Sequence, residues 1–179
     1  MTGWFIFLAY LAAVNPPRMR SQLTAGEERG QSKPLAVGAA IVVGTGLILV
    51  LAADGILDAL DITDETWRLA TGVVCGLVGG RTVISPAGGN IPSPAASVLF
   101  PIAFPLLFTP QLAVLAILFG ATEPFAAAWG GLAAGVGAGA IAGRLRYRRP
   151  EMWLALARLF ATVLLVVGVA LVVAGIRDV

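Results

Sequence analysis

Five largely apolar runs constrain this chain more than any other feature, because each is about as long as a helix that crosses a membrane. They cover residues 35–53, 67–84, 98–119, 122–143 and 152–175. A helix needs about 20 apolar residues to cross the hydrocarbon core of a bilayer. A sixth run, Gly3 to Val14, reaches that length only if its helix continues to about Thr24. The sequence therefore predicts six membrane spans.

The composition supports a membrane location for the whole chain. Of its 179 residues, 58% are hydrophobic and 12% are charged. A soluble domain of this size cannot bury so much apolar surface. No polar block is long enough to fold alone. We predict an all-α integral membrane protein with one transmembrane domain over residues 1–179.

Prolines interrupt the first and the fourth predicted spans. The first span contains Asn15, Pro16 and Pro17, and the fourth contains Pro105 and Pro110. Each opens a block of three helices, about 1–84 and about 98–179, and an odd number of spans inserts the second block from the opposite face. This arrangement is typical of two inverted repeats whose first helices are broken around a central site. The alternative is that the prolines only kink two ordinary helices.

A short echo accompanies the two blocks. The third span begins with ETWRLA (65–70) and the sixth with EMWLALAR (151–158), so both place Trp two residues after Glu. Trp favours the membrane interface, and Glu favours a helix N-terminus. These two preferences explain most of the echo without a repeat.

Charge alternates from loop to loop. The second loop is acidic and the fourth has only Glu123. The basic residues of the first and fifth loops are Arg18, Arg20, Arg29, Lys33, Arg144, Arg146, Arg148 and Arg149. Basic loops stay in the cytoplasm, so we expect the odd-numbered loops there and both termini outside.

Glycines recur at four-residue spacing in two of the predicted spans. They are Gly72, Gly76 and Gly80 in the third span and Gly131, Gly135, Gly139 and Gly143 in the fifth. Small residues at this spacing form a smooth helix face that another backbone can approach closely. We predict that both sets are helix-packing residues.

The two broken spans carry the candidate site. A break frees carbonyl and N–H groups that lipid cannot satisfy, so it persists only inside protein or beside water. We expect the breaks to face each other and to bind a solute. The candidate substrate-binding residues are Asn15, Pro16, Pro17 and Arg18 in the first span and Pro105, Thr109, Pro110 and Gln111 in the fourth. For Arg18, a counter-charge for an anion and a snorkelling contact with headgroups both stay open.

Several functional classes find no support in the sequence. The chain has no histidine and one cysteine, Cys75, which argues against a metal site and excludes a disulfide within the chain. We find no phosphate-binding loop, nucleophile elbow or basic nucleic-acid face. The spans also lack the paired acids or Ser/Lys dyad of an intramembrane enzyme. We expect no catalytic residues, no metal, no cofactor and no nucleic-acid partner.

Together these features resemble the MarC family of the LysE transporter superfamily. The likeness rests on VNPP (14–17), SQLT (21–24) and FPIAFPLLFTP (100–110), and it extends over nearly the whole chain. It implies a six-span protein of two three-helix repeats in the bacterial cytoplasmic membrane. Two features depart from the family: RMR (18–20), where Asn-Pro-x-Arg resembles the GAP/Sap-like branch, and Thr109, where Gly is usual.

The leading hypothesis is a small transporter or exporter of a polar or anionic solute, which alternates exposure of a site between the two broken helices. The alternative is a non-transporting subunit that scaffolds or assembles a larger membrane complex. The glycine faces and the lack of a soluble domain fit that role too. The expected partners are the lipid bilayer, an unidentified small solute, and a second copy of the chain or a larger complex.

Overall fold

The computed structural model describes residues 3–22, 32–85, 108–145 and 150–178. Its helices are α1 (Gly3–Val14), α2 (Pro16–Gln22), α3 (Ser32–Leu51), α4 (Ala53–Leu60), α5 (Asp64–Ile84), α6 (Pro110–Thr122), α7 (Phe125–Arg144) and α8 (Pro150–Asp178). Within these described ranges the chain forms helices and no strand. The predicted all-α class is confirmed.

Each of the six predicted spans contains helix. The first is divided into α1 and α2, and the fourth is described only from Phe108, so Pro105 lies outside the described residues. The short helix α4 was not predicted. It follows α3 with a bend of 57° and packs Ala53 and Leu57 against Ile117.

Length and hydropathy identify two helices that can cross a membrane, within the described ranges. These are α7 and α8, and the bent pair of α3 and α4 makes a third if it is counted as one span. Helices α1 and α6 have only 12 and 13 residues. Helix α5 has 21 residues but includes Asp64, Glu65, Arg68 and Arg81.

The two short helices α1 and α6 lie at the centre of the bundle. Helix α1 contacts α6, α7 and α8, and α6 also contacts α3, α4, α5 and α7. Tyr10 of α1 is fully buried and meets Phe119 of α6 edge to face, with ring centroids 5.4 Å apart. The end of α1 at the first break and most of α6 are therefore shielded by the other helices, whereas Trp4 and Leu8 of α1 and Pro110 at the start of α6 are exposed.

Glycines set the closest helix contact, between the antiparallel helices α5 and α8. A Cβ atom on Gly72 would lie 2.7 Å from the carbonyl oxygen of Gly168, and one on Gly79 would lie 2.8 Å from the backbone nitrogen of Leu165. Gly76 contributes its backbone to the same contact, whereas a side chain at Gly80 would meet nothing within 4 Å. Only glycine allows the two backbones this proximity.

The fifth-span glycines pack against α1. Cβ atoms on Gly131 and Gly135 would each lie 3.1 Å from the side chain of Tyr10, so these glycines make room for the phenol ring. Gly139 is buried on the same helix, and the surroundings of Gly143 lie outside the described residues.

Candidate functional site

The first break, defined here as Ala13–Arg18, turns at Asn15. This residue has a positive φ of 46°, which asparagine tolerates better than most residues. Pro16 and Pro17 follow and have no backbone N–H, so the carbonyls of Ala12 and Ala13 lose the donors that a continuous helix would supply. Asn15, Pro16 and Pro17 are all buried.

Both ends of the Asn15 amide are engaged within the chain. Its Oδ1 accepts a hydrogen bond from the Arg18 backbone N–H at 3.2 Å, which caps the N-terminus of α2. Its Nδ2 donates to the Ala157 carbonyl oxygen of α8 at 3.0 Å. The side chain is only 6% exposed, so the first break is closed by its own asparagine.

The second break, defined here as Thr109–Gln111, is the start of α6. Thr109 is extended (φ −98°, ψ 154°), and Pro110 occupies the first helical position, where a missing N–H is harmless. The Thr109 side chain makes no capping hydrogen bond. Its Oγ1 is buried and has no hydrogen-bond partner among the residues that the structure describes. Both breaks therefore place a polar residue directly before a proline that begins a helix. Only at the first break does the side chain of that residue cap the helix that follows.

The two breaks are in direct contact. Gln111 is 5% exposed, and its Nε2 donates to the Ala13 carbonyl oxygen at 3.1 Å. This acceptor is one of the two carbonyls that the prolines of the first break deprive of a helical donor. The Tyr10 hydroxyl also donates from α1 to the Leu115 carbonyl of α6, at 3.4 Å. Gln111 thus takes the place of a donor that Pro17 cannot supply.

Arg18 reaches from the first break to the end of α5. Its Nη1 donates to Thr82 Oγ1 at 2.9 Å, and the Thr82 hydroxyl donates to the Val78 carbonyl at 2.8 Å. Arg18 is half-buried, and its charge repels that of Arg81, which neighbours Thr82. The guanidinium is tethered to α5, a geometry compatible with either role considered for it.

Comparison with protein-family models, curated proteins and solved structures finds no match to this chain. The resemblance to the MarC family therefore stays a prediction.

Sequence reasoning did not single out Thr71. It lies on α5 and is 1% exposed, and within the described ranges its Oγ1 has no hydrogen-bond partner. One turn earlier, Trp67 Nε1 donates to the Val114 carbonyl of α6 at 3.2 Å. The only sequence signal for Thr71 is a hydroxyl within an apolar run, LATGVV (69–74).

Two surface grooves lie away from the breaks. One, of about 400 Å³, lies on the outer side of the α5–α8 contact and includes Gly76 and Leu77. The other, of about 490 Å³, is lined by Asp54, Asp58, Asp61 and Asp64. Among the described residues, no group of three or more His, Cys, Asp or Glu side chains is placed to hold a metal ion.

Proposed function

We propose that this chain is a six-span membrane transporter of a polar or anionic solute, and that the two helix breaks form its central site. The observation that carries the proposal is the buried hydrogen bond from Gln111 to Ala13, which joins the breaks. Interrupted backbone at membrane depth survives where protein or a water-filled cavity shields it. Broken helices that meet at the centre of two repeats are the usual location of a transported solute.

The pattern of helix contacts supports two inverted repeats. The exchange of the first, second and third spans with the fourth, fifth and sixth preserves most of the helix contacts, although the contact of α6 with α7 has no comparable counterpart between the described helices of the first and second spans. It converts the contact of α1 with α7 into that of α6 with α3, and the contacts of α1 and α2 with α8 into that of α6 with α5. The third and sixth spans, α5 and α8, pair with each other as antiparallel helices.

In this proposal, exposure alternates by movement of the broken helices against the rest of the bundle. Asn15, Pro16, Pro17 and Arg18 orient the solute. Thr109, Pro110 and Gln111 provide hydroxyl, backbone and amide contacts, and Pro105 belongs to the same span. The protein lies in the bacterial cytoplasmic membrane with both termini outside, as the charge alternation of the loops and the resemblance to the MarC family favour.

Cysteine labelling tests whether water reaches the breaks. In a Cys75→Ser background, single cysteines replace Thr109 at the second break, Leu77 on the outer side of α5, and Asp58 on the acidic helix α4. Intact cells expose the outer face and inside-out membrane vesicles expose the cytoplasmic face, and both are treated with a membrane-impermeant thiol reagent. We expect Asp58→Cys to label from outside, and Thr109→Cys to label from at least one side and to be protected by a transported solute.

Leu77→Cys is the matched control, because Leu77 is 71% exposed on the bundle surface. It should stay unlabelled if that surface faces lipid, where a thiol does not ionise. Silence at Thr109→Cys from both sides would contradict a solute path through the breaks. Labelling at Leu77→Cys would contradict the membrane placement of α5.

A non-transporting membrane subunit is the second candidate, favoured by two observations. The amide of Asn15 makes one hydrogen bond at each end inside the chain, as in a structural kink. The outer groove at Gly76 and Leu77 offers a small-residue face to another membrane helix. A Gly76→Leu variant that loses association with its partners, in a protein without transport activity, would favour this candidate.

A further inference from the structure

The outer groove of about 400 Å³ at the α5–α8 contact is lined by apolar side chains and glycines. Gly76 lies at its base, where a Cβ atom would meet nothing within 4 Å. The same is true of Gly80, one turn further along α5, so the open surface continues towards the end of that helix. Leu77 and Val169 line the two sides and are 71% and 55% exposed. A long apolar chain can therefore lie along the two helices.

Arg158 lies at one end of this groove. Helices α5 and α8 are antiparallel, and a Cβ atom on Gly79 would lie 2.9 Å from the Ala161 carbonyl oxygen. The end of α5 therefore lies beside the beginning of α8. Arg158 precedes the groove residue Leu165 by two turns on the same face of α8, which is about 10 Å along the helix axis. Arg158 is exposed, so the described bundle leaves its guanidinium accessible.

No acidic side chain in the described part of the chain forms an ion pair with Arg158. It is the only charged residue of α8 between Glu151 and Arg177. Glu151 lies two turns nearer the start of the helix, about 10 Å away along its axis. A charged side chain on a lipid-facing surface is costly unless it reaches the headgroups or a counter-charge. The placement of Arg158 thus favours an anionic group at this end of the groove.

Arg81 adds a second positive charge at the same end. It is exposed in the last turn of α5, one turn beyond the groove residue Leu77. Its neighbour Thr82 accepts a hydrogen bond from Arg18 at 2.9 Å, and the charges of Arg18 and Arg81 repel each other. An anion beside Arg81 and Arg158 would offset this repulsion.

We propose that the groove binds an anionic phospholipid, with its phosphate beside Arg158 and Arg81 and one acyl chain along Gly76 and Gly80. This goes beyond the proposed transport function and rests only on the membrane placement of α5 and α8. The length of the groove fits one leaflet. From Arg158 to the groove residue Val173 the helix rises about 22 Å, more than the roughly 15 Å of hydrocarbon in half a bilayer. The acyl chain would therefore end inside the groove.

Charge also sets the direction of the lipid. At the opposite end of the helix pair, the first turn of α5 carries Asp64 and Glu65, which would repel a phosphate. The charge pattern of the loops assigns the Arg158 end to the cytoplasm. Basic pockets between membrane helices on that side are typical sites for anionic headgroups. The bound lipid would belong to the inner leaflet.

Native mass spectrometry tests the headgroup contact. The delipidated full-length chain in non-ionic detergent is titrated with phosphatidylglycerol or with phosphatidylcholine of the same acyl chains. We expect the parent to bind phosphatidylglycerol at least tenfold more tightly than phosphatidylcholine. Arg158→Gln should weaken the binding of phosphatidylglycerol at least tenfold, and Arg158→Lys, which keeps the charge, should weaken it less than threefold. Arg177→Gln removes the same charge at the other end of α8 and should leave the affinity within twofold.

A second pair of variants tests the groove. Gly76→Leu fills it with a side chain that has open space, and it should weaken the binding of phosphatidylglycerol at least tenfold. Gly137→Leu is the matched control, because a Cβ atom at this glycine of α7 also meets nothing within 4 Å, and it should leave the affinity within twofold. Both variants should unfold at or above the parent's Tm without lipid, since leucine favours helix over glycine.

Several results would overturn the proposal. Equal affinity for the two lipids, or unchanged affinity in Arg158→Gln, would show that Arg158 only reaches the general headgroup layer. Unchanged affinity in Gly76→Leu would place the acyl chain elsewhere. Displacement of the lipid by sodium phosphate would indicate a site for a free anion. A lipid-free dimer that Gly76→Leu dissociates would assign the groove to a second copy of the chain.

These outcomes remain distinct from those of the cysteine labelling. Silence at Thr109→Cys from both sides would reject the transporter and leave the lipid site in place. Labelling at Leu77→Cys would reject the lipid site together with the membrane placement of α5.

Discussion

At the first break, Asn15 bonds on both sides of its amide, whereas at the second break the Thr109 hydroxyl has no hydrogen-bond partner in the part of the chain that the structure describes. Both residues directly precede a proline that begins a helix. Asparagine carries a donor and an acceptor and can close a break by itself. The threonine side chain is shorter and carries only a hydroxyl. In the proposed transporter, the first break is a rigid pivot and the second break is the position that binds the solute.

The largest effect on stability is expected at Asn15. Asn15→Ala leaves at positive φ a residue without the short polar side chain that makes this conformation tolerable, removes the cap of α2 and breaks the bond to Ala157, and we expect a loss of about 3 kcal/mol in the free energy of unfolding. Asn15→Gly keeps the backbone conformation and should lose less. Unfolding by SDS in mixed micelles measures both. Equal losses for the two variants would show that the positive φ contributes little, because both variants lose the same amide bonds.

A substitution at Gln111 tests whether the stability of the first break depends on the second. Gln111→Met leaves the buried Ala13 carbonyl without its donor, which should cost about 1–3 kcal/mol. Hydrogen exchange measured on the Gln111→Met variant should show that protection of backbone amides falls first in the last turn of α1, where the acceptor lies, although the substitution is in α6. Loss of protection confined to α6 would contradict a role for Gln111 as the missing donor of the first break.

The contact between the breaks could be predicted in outline. Proline removes backbone N–H groups, and the apolar runs show that the freed carbonyls lie within predicted membrane spans, where lipid cannot bond to them. The residues that bond to the polar groups of the two breaks could not be predicted. Nothing in the local sequence says that the amide of Gln111 reaches Ala13, or that Arg18 reaches Thr82, since both contacts join residues far apart in the chain. Thr71 was missed because the sequence does not show whether a hydroxyl in an apolar run bonds to its own helix.

The glycine faces show how helix geometry refines a sequence pattern. A four-residue step turns by about 40° beyond a full circle, so Gly80 is rotated by about 80° from Gly72, whereas a seven-residue step returns to within about 20°. The contact with α8 accordingly includes Gly72 and Gly79, and Gly80 meets nothing. Helix α4 was missed because its eight residues, ADGILDAL, lie within an acidic loop and too few turns reveal its apolar face.

The substitution Thr109→Asn gives the second break the residue that precedes the proline of the first break. Thr109→Asn puts a stronger N-cap in an extended residue that already precedes α6, and we expect a gain of about 0.5–1 kcal/mol in the free energy of unfolding. Solute transport in proteoliposomes should fall at the same time, because the amide occupies the position proposed for the ligand. A stabilised variant with full transport would place the ligand elsewhere.

The smallest effects on stability are expected at Arg18, where they separate its two roles. Thr82→Val removes the acceptor of the guanidinium and keeps its charge, whereas Arg18→Gln removes the charge. Because Arg18 is half-exposed and solvent screens it, each change should alter stability by only about 0.5–1 kcal/mol. A counter-charge for an anionic solute predicts at least a tenfold loss of transport in Arg18→Gln and less than a threefold loss in Thr82→Val. A guanidinium that only anchors α2 at the headgroups predicts little change in transport for either variant, and the anionic group would then be bound at the second break alone.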